Sequence, residues 1–149
     1  MIRKIKPADK DFYINSVKAF YSSDAVLHNI PTEYITNTFD ELMKSDTYIE
    51  CYIFEKDNQK AGYALLAKMF SQEAGGEVIW IDEIFVLPKF RAMGLSSEFF
   101  KFIQNNSKAK RFRLEFCPDN QKAIEVYKRH GFTPLEYNQM YYDASSKLH

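Results

Sequence analysis

The sequence predicts one mixed α+β domain: a central, mostly antiparallel sheet of six to seven strands flanked by about four helices. Three observations predict it. A chain of 149 residues, 46% apolar and 27% charged, fits a single domain over residues 1–149 with a core of its own. The stretch from Tyr48 to Leu87 is a series of β-branched and aromatic runs broken by short polar turns. Beyond Pro88 the pattern becomes loop, helix, strand, helix, with apolar residues at helical spacing.

Ile2 to Lys6 reads as a short strand stopped by Pro7. Asp9 is expected to cap a helix over roughly Asp11 to Tyr21, whose apolar side is Phe12, Val17 and Phe20. Pro31-Thr32-Glu33 opens a second helix, carried by Tyr34, Ile35, Thr38, Phe39, Leu42 and Met43 and ended by Ser45-Asp46. Tyr48 to Glu55 and Lys60 to Phe70 read as hairpin partners around the turn Lys56 to Gln59. Glu77 to Leu87 is nearly continuously apolar, so it is expected to be buried on both faces. Leu95, Phe99, Phe102 and Ile103 mark one face of a third helix. Lys110 to Phe116 alternates as a strand, and a helix from Asp119 to His130 stops at Gly131. A final strand is expected near Tyr137 to Tyr142. Trp80 and most Phe and Tyr residues are expected in the core.

Lys plus Arg equals Asp plus Glu, 20 each, so no broad positive field exists for nucleic acid. No apolar run approaches the ~20 residues of a membrane helix, and Met1 to Ile5 leads straight into polar sequence rather than a signal peptide. The cytoplasm is the expected compartment. Cys51 and Cys117 are then free thiols, without an activating partner for a nucleophilic role. His28, His130 and His149 have no metal-ligand spacing, and no metal is expected.

The informative block is Val86-Leu87-Pro88-Lys89-Phe90-Arg91-Ala92-Met93-Gly94-Leu95-Ser96, between a buried strand and an amphipathic helix. A turn there aims successive backbone N–H groups outward beside the positive end of the helix dipole, an arrangement that binds a pyrophosphate. Gly94 permits close approach of the backbone, and Ser96 can cap the helix or donate its hydroxyl. Downstream, Asn120, Ala123 and Tyr127 lie on one helix face by steps of three and four.

These motifs resemble the GNAT acetyltransferase superfamily. Arg91-Ala92-Met93-Gly94-Leu95-Ser96 is similar to the family's Arg/Gln-x-x-Gly-x-Gly/Ala loop, departing at Ser96. Asn120 to Phe132 fills all positions of Asn-x-x-Ala-x-x-x-Tyr-x-x-x-Gly-Phe. The resemblance spans about Glu77 to Phe132 and implies a GNAT-like fold with acetyl-CoA as cosubstrate. It further implies a pantetheine arm beside Phe85 and Val86, hydrogen-bonded by Asn120. A dinucleotide-binding domain is the poorer reading, because the loop lacks Gly-x-Gly-x-x-Gly and the preceding strands look antiparallel.

Acetyl transfer to an amine needs a held cofactor, a neutral amine, a stabilised oxyanion and a protonated leaving thiolate. The loop meets the first need. An alkylammonium is neutral in only about one molecule in 10³ at pH 7, so a carboxylate must take its proton. Asp82 and Glu83 interrupt the apolar strand, and Glu83 is favoured as the base. Strict alternation would point the two to opposite faces; a bulge, common in the family's matching strand, would alter that. Tyr127 suits the thiolate as general acid, and the backbone N–H near Val86 suits the oxyanion. Spermidine/spermine acetyltransferases, one branch of the superfamily, carry a Glu-Asp pair where this chain has Asp82-Glu83. Ser97-Glu98 and Tyr127-Lys128-Arg129 extend that likeness, which implies a polyamine-like acceptor. The expected partner is a small-molecule amine, with no nucleic acid and no membrane, and a homodimer left open. Two alternatives share the fold: a non-catalytic coenzyme A-binding regulatory domain, and an enzyme acting on a peptide or protein amine.

Overall fold

The computed structural model describes residues 1–144. Five strands form one sheet in the order β1-β2-β3-β4-β5. They are β1 (Ile2–Lys4), β2 (Ile49–Lys56), β3 (Gln59–Ser71), β4 (Gly76–Val86) and β5 (Arg111–Leu114). The first four pair antiparallel, while β5 joins β4 in parallel. The helices are α1 (Lys10–Tyr21), α2 (Thr32–Lys44), α3 (Leu95–Asn106) and α4 (Gln121–Arg129). The parallel pairing follows from the connection: α3 carries the chain back across the sheet between β4 and β5.

Two apolar layers sandwich the sheet. On one face, Tyr13, Val17 and Phe20 of α1 and Ile35, Phe39 and Leu42 of α2 pack on Cys51, Ile53, Tyr63, Leu65 and Phe85. On the other, Leu95, Phe99, Phe100 and Ile103 of α3 pack on Phe54, Ala64, Leu66, Ile79 and Ile81. Strand alternation sorts the residues, so Tyr63 and Leu65 take one layer and Ala64 and Leu66 the other. Phe99 and Phe100 are fully buried, each contributing about 2–3 kcal/mol of apolar burial. Gly131 ends α4 with φ +87, the left-handed geometry of a helix stop.

Three expectations are corrected. No strand forms over Tyr137 to Tyr142, so the sheet has five strands rather than six to seven. A tyrosine-rich segment becomes a strand only where its side chains find a face to pack on, and Tyr137, Met140, Tyr141 and Tyr142 stay exposed. Trp80 is half-buried rather than core, with the Arg113 guanidinium stacked 4.2 Å from its ring. Asp9 precedes α1 but its side chain makes no capping bond to that helix.

The Asp9 carboxylate turns inward instead, at 1% exposure. It accepts from Arg3 at 2.8 and 3.1 Å and from the Lys6 backbone N–H at 2.8 Å, and Lys60 Nζ lies 2.8 Å away. Burial alone would raise this carboxyl, but Arg3, Lys60 and the Lys6 amide together hold it well below the usual carboxylate range. The network ties β1, β3 and the start of α1 together. A depressed folded pKa contributes stability above the unfolded value, about pH 4, and that contribution is lost as pH falls toward the folded value. Asp9→Asn is expected to lower the urea unfolding free energy at pH 7 by about 3 kcal/mol. The deficit should shrink as the pH is lowered below 4, and equal stability of both proteins at pH 7 would contradict this account.

Candidate active site

β4 changes face at one residue. Its pairing with β3 runs Leu66↔Ile81 and then Leu65↔Glu83, leaving Asp82 unpaired as a bulge. Before the bulge, Ile79 and Ile81 belong to the α3 layer; after it, Phe85 belongs to the α1–α2 layer. Glu83 therefore faces α1, at 6% exposure. Tyr63 donates to its Oε1 at 2.7 Å and Tyr21 to its Oε2 at 2.7 Å. Burial raises the Glu83 carboxyl above its ordinary value; the two phenols pull it down without cancelling that rise, and Asp82 adds to it. Asp82 is exposed at the surface, yet desolvation by the flanking elements and the charge of Glu115 raise it as well.

The same point on β4 is where β5 leaves it. Pairing ends at Ile81↔Leu114, while β4 continues to Val86. The Leu87 N–H is bonded to Ala61 of β3 at 2.8 Å, so by alternation the N–H groups of Ile84 and Val86 point to the opposite, open edge. Arg91 confirms the direction: its Nε donates to the Val86 carbonyl at 3.0 Å from that side.

The loop beyond β4 ends on α3. Gly94 adopts φ +77 at the helix start, with open space where a Cβ would stand. Ala92 also has a positive φ, +62. Among the described residues, no protein acceptor engages the backbone N–H groups from Ala92 to Ser97. These are the free donors at a helix N-terminus that an anion completes. Ser96 makes no capping bond, because Gly94 holds the cap position. Loop, β4 and α4 surround a cavity of about 590 Å³ lined by Phe85, Val86, Arg91, Gly94, Ser96 and Ala123, among others.

Helix α4 divides this cavity from a second one. Ala123 and Val126 face the first, whereas Tyr127 lines a neighbouring cavity of about 610 Å³. Tyr127 packs against Phe100, Phe116 and Phe132, and burial raises its phenol. The helix face shared by Asn120, Ala123 and Tyr127 thus spans both cavities, and the three do not converge in one. Asn120 caps α4, its Oδ1 accepting from the Ala123 N–H at 3.3 Å. Met93 is exposed on the loop, and Leu95 is buried under it. Four participants escaped sequence reasoning. Lys122 and Arg129 of α4 join Arg91 around the first cavity, and they sit two turns apart on one helix face. Tyr63 follows from the β3–β4 register once that is known, but nothing local marks Tyr21 as a partner of Glu83.

A strand edge left open beside a loop of free amides offers donors to a ligand that carries a peptide-like arm and a phosphate. A sequence profile of the Acetyltransferase (GNAT) family matches residues 14–132, and the chain belongs to that family. It is an N-acetyltransferase by that membership. A possible acetyltransferase from Clostridium difficile 630 is similar in structure, with TM-score 0.82 and 17% identity over 97% of each chain. An integron cassette protein from the mobile metagenome of Cole Harbour Salt Marsh gives TM-score 0.80 and 20% identity over 97% of this chain and 90% of that one. The aminoglycoside acetyltransferase AAC(6')-Iy, in complex with a bisubstrate analogue, gives 0.78 and 19% over 96% and 97%. These likenesses establish the fold. No curated protein matches the chain significantly in sequence. Among the described residues, no helix is long and apolar enough to cross a membrane, and no group of three or more His, Cys, Asp and Glu could hold a metal ion.

The raised Glu83 carboxyl has a stability consequence opposite in sign to that of Asp9. A folded pKa above the unfolded one contributes stability below the unfolded value, and that contribution is lost as pH rises through the folded value. Ionised Glu83 therefore costs stability at neutral pH. Glu83→Gln, whose amide can still accept from one phenol and donate to the other, is expected to melt at or above the wild-type temperature at pH 7. A fall of several degrees in a thermal scan would reverse the reading.

Proposed function

We propose that this chain transfers the acetyl group of acetyl-CoA directly to a primary amine of a small, polycationic molecule, with a polyamine-like acceptor favoured. The observation that carries the reading is the open edge of β4, with the unpaired N–H groups of Ile84 and Val86, running straight into the free amides of Ala92 to Ser97. An acidic lip supports the acceptor class: Asp82 and Glu115 are exposed where β4 and β5 part, close enough that Glu115 perturbs Asp82, and the buried Glu83 lies next to Asp82 in sequence. The aminoglycoside named with AAC(6')-Iy is likewise an amine-rich acceptor.

Acetyl-CoA, when bound, supplies an acetyl thioester. The amides of the loop, with Arg91, Lys122 and Arg129, hold its phosphates. The open edge of β4 at Phe85 and Val86 holds the pantetheine arm as an added strand would be held, and the free Nδ2 of Asn120 offers a further donor. The Val86 N–H stabilises charge developing on the carbonyl oxygen. Glu83 takes the proton of the acceptor ammonium, and Asp82 binds a second ammonium or steadies the first. Tyr127, whose ring meets Phe116 just beyond β5, returns a proton to the sulfur. The expected compartment is the cytoplasm.

The deciding experiment is thiol release from acetyl-CoA by purified protein over a panel of amines, from diamines and polyamines to aminoglycosides and peptides. Turnover with polyamines is the expected result. Binding of coenzyme A without release by any amine would make the chain a regulatory coenzyme A-binding domain. Gly94→Glu, which sets a negative side chain against the phosphates on a strained backbone, should weaken coenzyme A binding at least tenfold by calorimetry in a folded protein. Tyr127→Phe should lower kcat about 10²–10⁴-fold with coenzyme A affinity kept. A change under about threefold with chemistry rate-limiting would remove Tyr127 from the role.

A further inference from the structure

Glu83 is enclosed. Its Oε1 is held by Tyr63, which has no exposure, and its Oε2 by Tyr21, which is half-buried at the last position of α1. Tyr13 of α1 and Cys51 of β2 are also fully buried and near enough to feel the Glu83 charge. No cation lies within ion-pair distance of Glu83 among the described residues. Of the two phenols bonded to Glu83 only Tyr21 is partly exposed, so Tyr21 offers an acceptor amine the accessible end of the pair. The surroundings of Tyr21 suit that role. Phe20 beside it lines the cofactor cavity and stacks on Phe85. The loop that follows α1 reaches across the mouth to the residues after β5, where Cys117 Sγ lies 3.6 Å from the Ala25 carbonyl.

We propose that Tyr21 is a catalytic residue: its hydroxyl, not the Glu83 carboxylate, meets the acceptor amine or the water bound to it, and passes the proton inward. This rests on the acetyltransferase reading above. The ammonium N–H bond breaks and its proton bonds to the Tyr21 oxygen, while the Tyr21 hydroxyl proton moves to Oε2 of Glu83. The nitrogen keeps the electron pair with which it attacks, Tyr21 ends as a neutral phenol, and Glu83 ends as a carboxylic acid. The reverse path returns that proton to solvent. Tyr63 is a positioning residue: by holding Oε1 it leaves Oε2 toward Tyr21. The ionisable groups facing this path are Tyr13 and Tyr21 of α1, Cys51 of β2, Tyr63 of β3, Asp82 of β4 and, through Asp82, Glu115 beyond β5.

The test compares wild type with Tyr21→Phe, Glu83→Gln, the double variant, Tyr63→Phe and Asp82→Asn, using the best amine of the panel and calorimetric coenzyme A affinity as the control for folding. Tyr21→Phe is expected to lower kcat/KM for the amine about 10²-fold, with coenzyme A affinity unchanged. The double variant should be no slower than the slower single variant, because the two groups act in series. The wild-type proton inventory in mixed H₂O and D₂O should curve, as for two protons in flight, and become linear in Tyr21→Phe. Tyr63→Phe should shift the acidic limb of the pH–rate profile with a smaller loss of rate. Tyr21→Phe within twofold of wild type, or loss of the acidic limb in Asp82→Asn alone, overturns the relay while leaving the acetyltransferase reading intact. A wild type that binds coenzyme A but acetylates no amine removes both.

Discussion

One extra residue in β4 sets the geometry on which the site depends. With regular alternation through Asp82, Glu83 would share the face of Ile79 and Ile81 and meet the phenylalanines of α3, an apolar wall with no donor for a carboxylate. The bulge moves it to the opposite face, where two phenols stand in position. The same residue marks the end of pairing with β5. A bulge bends its strand and increases local twist, so turning Glu83 inward and opening the edge at Ile84 and Val86 are two consequences of one insertion. A buried carboxylate and an open backbone edge thus come to lie on adjoining sides of a four-residue stretch, without any loop having to carry them.

The two buried acids show how differently the fold treats one functional group. Asp9 is neutralised by two cations and an amide and is ionised in a setting that rewards it. Glu83 receives only neutral donors, which satisfy its hydrogen-bonding capacity without offsetting the loss of hydration. The first behaves as a clamp between β1, β3 and α1. The second has its carboxyl raised by burial, the direction that strengthens a carboxylate as a proton acceptor. Stability at Asp9 and tension at Glu83 are compatible because the hydrogen bonds of Asp9 share no residue with those of Glu83, although Cys51 between them feels both charges.

Most of the frame was legible in the sequence because local patterns and tertiary packing agree there. The turn at Lys56 to Gln59, the long apolar β4 and the stop at Gly131 each rest on chemistry within a few residues. Legibility failed where distant contacts decide. Asp9 stands at a helix start and resembles a cap, but Arg3 and Lys60, six and fifty-one positions away in sequence, outbid the nearby amides of α1. Tyr137 to Tyr142 has strand composition but no face to cover. Tyr127 obeys the helical step from Asn120 and Ala123, yet its ring packs on Phe100, Phe116 and Phe132 and lines the other cavity, because tertiary packing and not helical step decides which cavity a side chain enters. The bulge was foreseeable only as an option, since pairing register is a property of two strands and not of either one.

What unites the site is a set of polar groups left open in an otherwise satisfied structure. Among the described residues no buried side-chain nitrogen or oxygen lacks a partner, so the fold does not leave polar atoms idle through poor packing. The free donors lie instead on the surface of one continuous path: the N–H groups of Ile84 and Val86, then the amides from Ala92 to Ser97. Water satisfies them at little cost there, and a ligand that carries a peptide-like arm and a phosphate can replace that water group for group. Arg91 spans the junction, its Nε on the Val86 carbonyl and its guanidinium over Phe85, which fixes the angle between strand edge and phosphate loop. The recognition surface is therefore made mainly of backbone, whose position is set by β4 and the start of α3. Ser96 makes no capping bond and Gly94 holds the cap position, so the free amides of this loop do not depend on the side chain at position 96.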